Sequence, residues 1–179
     1  IEQLNEMQLA AHKAISEDKN VLLLSPTGSG KTLAFLLPVL QLLQPEKTTV
    51  QCLILAPSRE LALQIEQVWK KMQTGYKVNV CYGGHSKLIE IQNLSTPPAL
   101  LIGTPGRIMD HIQRKSFDFN DVELLVLDEF DKSLDLGFHE QMSFIIRCLG
   151  KLQKRVLVSA TSSIEIPKFA GANYLTTLN

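Results

Sequence analysis

Residues 21–32 read VLLLSPTGSGKT, an apolar run that stops at a glycine-rich turn and passes directly into a helical stretch, 31–44. No other segment restricts the fold as much. Continuous aliphatic residues describe a strand buried on both faces, because a half-exposed strand would alternate. Gly28 and Gly30 let the backbone turn so that consecutive N–H groups point to one side. A helix that begins near Lys31 directs the positive end of its dipole at the same spot. A chain with this junction needs a covered sheet and places its turn at the carboxyl edge of that sheet.

The same rhythm continues along all 179 residues. Short β-rich runs fall at 21–25, 51–55, 77–81, 99–102, 123–127 and 155–159. Helical stretches lie near 5–17, 31–44, 59–73, 86–93, 105–114, 138–149 and 163–170. This alternation predicts an α/β fold of three layers, with a mainly parallel central sheet and helices on both faces. No repeat or linker-like tract interrupts it, so residues 1–179 read as one domain. Asn5 is placed to cap the first helix, and Thr104-Pro105 sets a hydroxyl before a proline at the first helical position. Leu61, Ile65, Val68 and Met72 form one apolar stripe with Trp69 beside it, a core-packing face. Pro38, inside 31–44, removes one hydrogen bond and predicts a kink.

Composition limits the partners. Eighteen basic and eighteen acidic residues cancel, so any polyanion must be gripped by local loops rather than by a charged surface. Cys52, Cys81 and Cys148 are odd in number, far apart and mostly within apolar runs, with no metal-ligand spacing. They read as buried free thiols of a reducing compartment. The longest apolar stretch, LAFLLPVLQLL (33–43), falls short of the roughly 20 residues of a membrane span. No leader opens the chain, and a cytoplasmic protein with no membrane partner is expected.

Ligands of open α/β sheets bind at the carboxyl ends of the strands. Nearly every polar or glycine-rich cluster falls at such an end. SPTGSGKT (25–32) there has the strand–loop–helix context of a Walker A loop. Thr27, Gly28, Ser29 and Gly30 would wrap the phosphates, Lys31 would reach the β- and γ-phosphates, and Thr32 would offer a hydroxyl to Mg2+. Ser25 stands where the strict pattern has glycine. A second strand ends in LVLDEFDKSL (125–134) and is expected beside the first loop. Asp128 would hold Mg2+ through water, and Glu129 would orient or deprotonate the attacking water. Together the two ends predict a nucleoside triphosphatase of the P-loop class.

The ordered series LNEMQ (4–8), SPTGSGKT (25–32), APSRELA (56–62), GG (83–84), TPGR (104–107), DEFD (128–131), LDLGF (134–138) and SAT (159–161) resembles the DEAD-box ATP-dependent RNA helicases of superfamily 2. The likeness covers essentially the whole chain. It implies a RecA-like domain that binds ATP and Mg2+, and an ATP hydrolase that couples turnover to local RNA unwinding. Gln8 matches the glutamine that reads the adenine edge. Asp131 matches the last letter of the acidic motif, hydrogen-bonded toward Ser159 and Thr161 to couple nucleotide state to strand separation. Pro57, Ser58, Arg59, Gly83, Gly84, Thr104, Pro105, Gly106 and Arg107 match segments that grip the RNA backbone without reading sequence. On residue type alone, a structural ion pair for Arg59 and a solvated helix position for Arg107 are the lesser alternatives. His85 reads as RNA contact or solvated loop, and His139-Glu140 as surface.

Departures accompany the likeness. Leu4-Asn5 replace the family's Pro-Thr, Ser58 replaces threonine, and Ser25 replaces alanine. Phe130 stands where the family motif has alanine, and an apolar pocket is expected to receive it without moving the backbone. The family works with a second RecA-like domain that supplies arginine fingers, for which no room remains after Thr161. The chain is therefore expected to be the first domain of a longer protein, monomeric and little active alone. A non-hydrolysing RNA clamp and another P-loop machine, such as a DNA helicase, are the rival readings.

Overall fold

Along each strand the aliphatic side chains alternate between two separate cores, so the sheet is covered on both faces. In the computed structural model, residues 3–18, 20–171 and 175–179 are described. The strands are β1 (Asn20–Leu24), β2 (Cys52–Leu55), β3 (Val78–Cys81), β4 (Leu100–Gly103), β5 (Leu124–Leu127), β6 (Lys154–Ser159) and β7 (Thr176–Leu178). They form one sheet in the order β3-β4-β2-β5-β6-β1-β7. Every pairing is parallel. Val21, Leu23, Ile54, Ile102, Val126 and Val158 enter one core. Leu22, Leu53, Leu55, Leu101, Leu125 and Leu157 enter the other.

The first core is closed by α1 (Glu6–Glu17), α2 (Lys31–Leu42) and α3 (Arg59–Lys71), through Ile15, Phe35, Val39, Ile65 and Trp69. The second is closed by α4 (Lys87–Leu94), α5 (Pro105–Gln113), α6 (Phe130–Asp135) and α7 (His139–Cys148), through Leu94, Ile108, Ile112, Phe130, Met142 and Ile145. Segregation of α1–α3 from α4–α7 makes the three layers. Cys52 and Cys81 are buried free thiols, and Cys148 is half-buried and free. No described helix is long and apolar enough to cross a membrane.

Local signals explain most boundaries. Asn5 caps α1 in a reciprocal box with Gln8. Ser58 caps α3 by accepting from Leu61 N–H at 3.2 Å. On α3 the fully buried line is Ala62, Ile65 and Trp69, with Leu61, Val68 and Met72 on its flanks, so the packing face is rotated from the expected stripe. Pro38 lies inside α2, which runs on through Leu42. Two elements escape the sequence pattern: α6 is six residues long and β7 three, both too short to show a period. The helix expected at 163–170 is instead a single 3-10 turn, Lys168–Ala170. Pro167 is the physical reason, since a proline pushes the preceding residue out of the helical region.

Tight packing where β4 meets α5 yields a stability prediction. A Cβ on Gly103 would stand 2.5 Å from Ile108 and 2.7 Å from the Cys81 carbonyl oxygen. The backbone oxygen cannot move aside, so Gly103→Ala should lower stability by about 1–3 kcal/mol. Urea unfolding checks this, and an unchanged midpoint would contradict it.

Candidate functional site

All the motif loops leave the sheet at its carboxyl edge, and the strand order sorts them into two halves. β5, β6 and β1 carry the acidic motif, SAT and the phosphate loop. β3, β4 and β2 carry the glycine pair, TPGR and SRELA. The acidic strand does not pair with the first strand, because β6 lies between β5 and β1, yet the acids still reach the first loop. Side chains bridge the gap: Lys31 Nζ is 3.8 Å from Glu129 Oε1. Ser25 N–H also donates to the Ser159 carbonyl at 3.0 Å, tying the phosphate loop to SAT.

The loop itself has the backbone its glycines predict. Gly28 and Gly30 each adopt φ of 83°. Gly30 is the N-cap of α2 and has no side chain to satisfy the first turn. Those N–H groups are left for an anion. Ser29 pairs its hydroxyl with Ser25, Thr27 is exposed, and Thr32 is half-buried in the first turn of α2. Gln8 packs against this turn. Its Oε1 accepts from Asn5 N–H at 3.0 Å, and its Nε2 donates to the Gly30 carbonyl at 3.3 Å. One donor and one acceptor position of the amide remain uncommitted.

Asp128 is completely buried. Its Oδ1 accepts from Glu129 N–H at 2.9 Å, while Oδ2 has no partner. Burial pushes its pKa up to about 6, with Lys31 and the Glu129 N–H opposing and the charges of Glu129 and Asp131 adding. Lys31 Nζ is likewise buried without a hydrogen bond. A buried oxygen with no partner and a buried ammonium with only a 3.8 Å ion pair, at one strand edge, are costly unless a ligand completes them. The donor set suits a phosphate on Lys31 and a hard, oxygen-seeking cation near Asp128 and Thr32. Glu129 itself adopts a left-handed conformation, φ 47° and ψ 51°, rare for a non-glycine residue. Lys132 Nζ pairs with its other oxygen at 3.2 Å.

Asp131 Oδ2 accepts from the Thr161 hydroxyl at 3.3 Å. The expected contact with Ser159 is indirect: Ser159 Oγ accepts from Thr161 N–H at 3.2 Å. Phe130 is wholly buried in the second core and meets Phe169 edge to face, centroids 6.5 Å apart. Phe169 in turn meets exposed His139 edge to face, centroids 4.5 Å apart. The ring points away from the acidic edge, and the flanking acids keep their positions beside Lys31 and Thr161.

In the other half, Pro57 is buried, Ser58 is committed as a cap, and Arg59 is largely exposed. Arg59 pairs with Glu60 at 3.6 Å and lies over the Tyr82 ring. Gly83 and Gly84 are exposed, Gly84 with φ of 87°. Thr104 is the N-cap of α5 before Pro105, yet its side chain makes no capping bond, so the hydroxyl is free for a ligand, as is the backbone at half-exposed Gly106. Arg107 is neither solvated nor unattached: its Nη1 donates to Glu90 Oε2 at 2.9 Å and to the His85 carbonyl at 3.0 Å. Glu90, His111 and Tyr82 carry no motif signal and were invisible in the sequence. A lone acid in an amphipathic stretch looks like any solvated charge.

The buried Phe130 ring predicts a separation of stability from ligand binding. Phe130→Ala should destabilise the domain by about 3–5 kcal/mol through the cavity it leaves. Affinity for a fluorescent ATP analogue should stay within about twofold, since under 0.4 kcal/mol separates such values. A collapse of nucleotide affinity in a still-folded variant would contradict the pocket's independence.

Comparison with known proteins agrees with this geometry. Residues 5–169 match the family model described as DEAD/DEAH box helicase. The DEAD-box ATP-dependent RNA helicase CshA of Streptococcus pneumoniae is 40% identical over 147 residues, covering 81% of this chain and 28% of that protein. The ATP-dependent rRNA helicase RRP3 of Encephalitozoon cuniculi is 37% identical over 169 residues, covering 93% of this chain and 42% of that protein. A crystal structure of a DEAD box protein from Methanococcus jannaschii superposes with a TM-score of 0.85 at 28% identity, covering 96% of this chain and 48% of that one. The chain thus spans less than half the length of these relatives. With the acidic motif, the phosphate loop and SAT converging on one edge of a parallel sheet, the chain belongs to the DEAD/DEAH box helicase family.

Proposed function

We propose that residues 1–179 are the first of two RecA-like domains in a cytoplasmic RNA-dependent ATPase that opens RNA duplexes locally. The observation that carries the reading is the pair of buried groups without a hydrogen bond, Lys31 Nζ and Asp128 Oδ2, at the edge the phosphate loop shares with the acidic motif. Lys31 would leave Glu129 for the β- and γ-phosphates, with N–H groups of Thr27 to Thr32 around them. Thr32 and Asp128 would hold Mg2+, the latter through water; the bound ion neutralises charge on the phosphate oxygens. Glu129 accepts a proton from the water that attacks the γ-phosphorus, and ADP leaves with the broken phosphoanhydride bond. The free donor and acceptor of Gln8 suit the adenine edge.

RNA would lie along Ser58, Arg59, Gly83, Gly84, Thr104, Pro105, Gly106 and Arg107, with Pro57 shaping the SRELA turn. Hydroxyl, guanidinium and backbone N–H donors fit phosphates and sugars, which explains binding without sequence preference. Asp131 and Thr161 would link the acidic motif to SAT, so a change at the γ-phosphate would reach Ser159. A second RecA-like domain would complete the cleft with arginine fingers; the isolated domain is then a monomer with little turnover.

The full-length protein tests this directly. Lys31→Ala should abolish RNA-stimulated ATP hydrolysis. Glu129→Gln should keep nucleotide and RNA binding while lowering kcat by about 10²–10⁴. Stimulated turnover that survives both changes would refute the proposal, and stimulation by DNA as strong as by RNA would redirect it.

A further inference from the structure

The carboxylate of Glu90 in α4 is 1% exposed and accepts four hydrogen bonds from two separate segments, the loop after β3 and helix α5. Oε1 receives Tyr82 N–H at 3.0 Å and His85 Nδ1 at 3.1 Å. Oε2 receives Arg107 Nη1 at 2.9 Å and His111 Nε2 at 2.6 Å. Tyr82 and His85 bracket the glycine pair, and Arg107 ends TPGR. The network extends further by stacking: the His85 ring lies 5.1 Å from the Tyr82 ring, and Arg59 of SRELA covers Tyr82 at 5.9 Å. One buried side chain therefore touches or props every segment assigned to the RNA backbone.

Arg107 keeps the donors a phosphate needs. A guanidinium has five N–H donors, and Nη1 spends its two on Glu90 and the His85 carbonyl. The Nε–H and Nη2 edge is left, and that edge is the planar fork that pairs with two phosphate oxygens. Holding the other edge fixes the fork without occupying it, so less freedom is lost on binding.

A metal centre is the competing use of this cluster, because ligand atoms of Cys81, Glu90 and His111 lie within 4.8 Å of one another. Arg107 argues against it, as its positive charge already sits on the carboxylate. The Cys81 thiol is also held protonated: burial, then the Glu90 charge, pushes its pKa far up. A thiolate ligand is therefore disfavoured.

We infer that Glu90 is the positioning residue of the RNA surface, which aligns the Gly83–Gly84 N–H groups and the Arg107 fork for successive phosphates. This rests on the RNA reading above. Its test is Glu90→Gln in the full-length protein, which keeps volume but replaces one acceptor oxygen with a donor. The RNA concentration for half-maximal ATPase should rise about tenfold, the scale of one lost charge-assisted bond. The ATP KM and the turnover at saturating RNA should hold within about twofold, well below that tenfold step. Amide hydrogen exchange should quicken at 82–85 and stay unchanged at 25–32. An unshifted RNA requirement overturns the inference, and so does a parallel loss of ATP affinity, which would make Glu90 only a fold-holding residue. A wild-type protein without RNA stimulation would instead overturn the RNA reading on which it stands.

Discussion

A parallel sheet covered on both faces has no place for charge except at the ends of its strands. Val126, Leu127, Val158 and Ile54 are fully packed, and the next residues outward are Asp128, Ser159 and the Ala56-Pro57-Ser58 turn. Because every strand runs in the same direction, all these ends meet at one edge. Everything else follows from that crowding. The glycine-rich loop, the acids and the segments proposed to hold RNA are neighbours because the core excludes them from anywhere else.

The two buried carboxylates at this edge show how environment separates a structural acid from a waiting one. Burial drives up the pKa of Glu90, but bonds from His111, Tyr82, Arg107 and His85 outweigh it and leave the group below the ordinary range. Asp128 suffers the same desolvation with a single hydrogen bond, and its pKa rises to about 6. A carboxylate with four donors is complete, whereas one with a bare buried oxygen needs a cation or its own proton. Glu90 is therefore a completed part of the scaffold of its half of the edge, and Asp128 is the open group of the other.

Much of this was legible before any coordinates. Continuous apolar runs located six strands, since burial on both faces removes alternation, and Asn5 and Thr104-Pro105 marked helix starts. The phosphate loop was legible because glycine, lysine and threonine must stand at fixed steps for a backbone to cradle phosphate. Phe130 was legible as an anomaly, and its inward course follows from size alone: a ring of that area gains more in an apolar pocket than at a charged edge. The segment 163–170 misled because its apolar spacing suits a helix while Pro167 forbids one.

Short-range chemistry is written along the chain: which loop has the backbone to cradle an anion, which acids end a strand, where a helix can begin. Those features depend on residues a few positions apart, so their spacing survives in one dimension. The insertion of β6 between β1 and β5 is not of that kind, nor is the meeting of Arg107 with Glu90 or of Thr161 with Asp131. Each joins segments separated by long stretches of chain, and nothing local distinguishes a buried, saturated glutamate from a solvated one. Packing two cores against one sheet chose those partners, through the cost of leaving any buried charge without one.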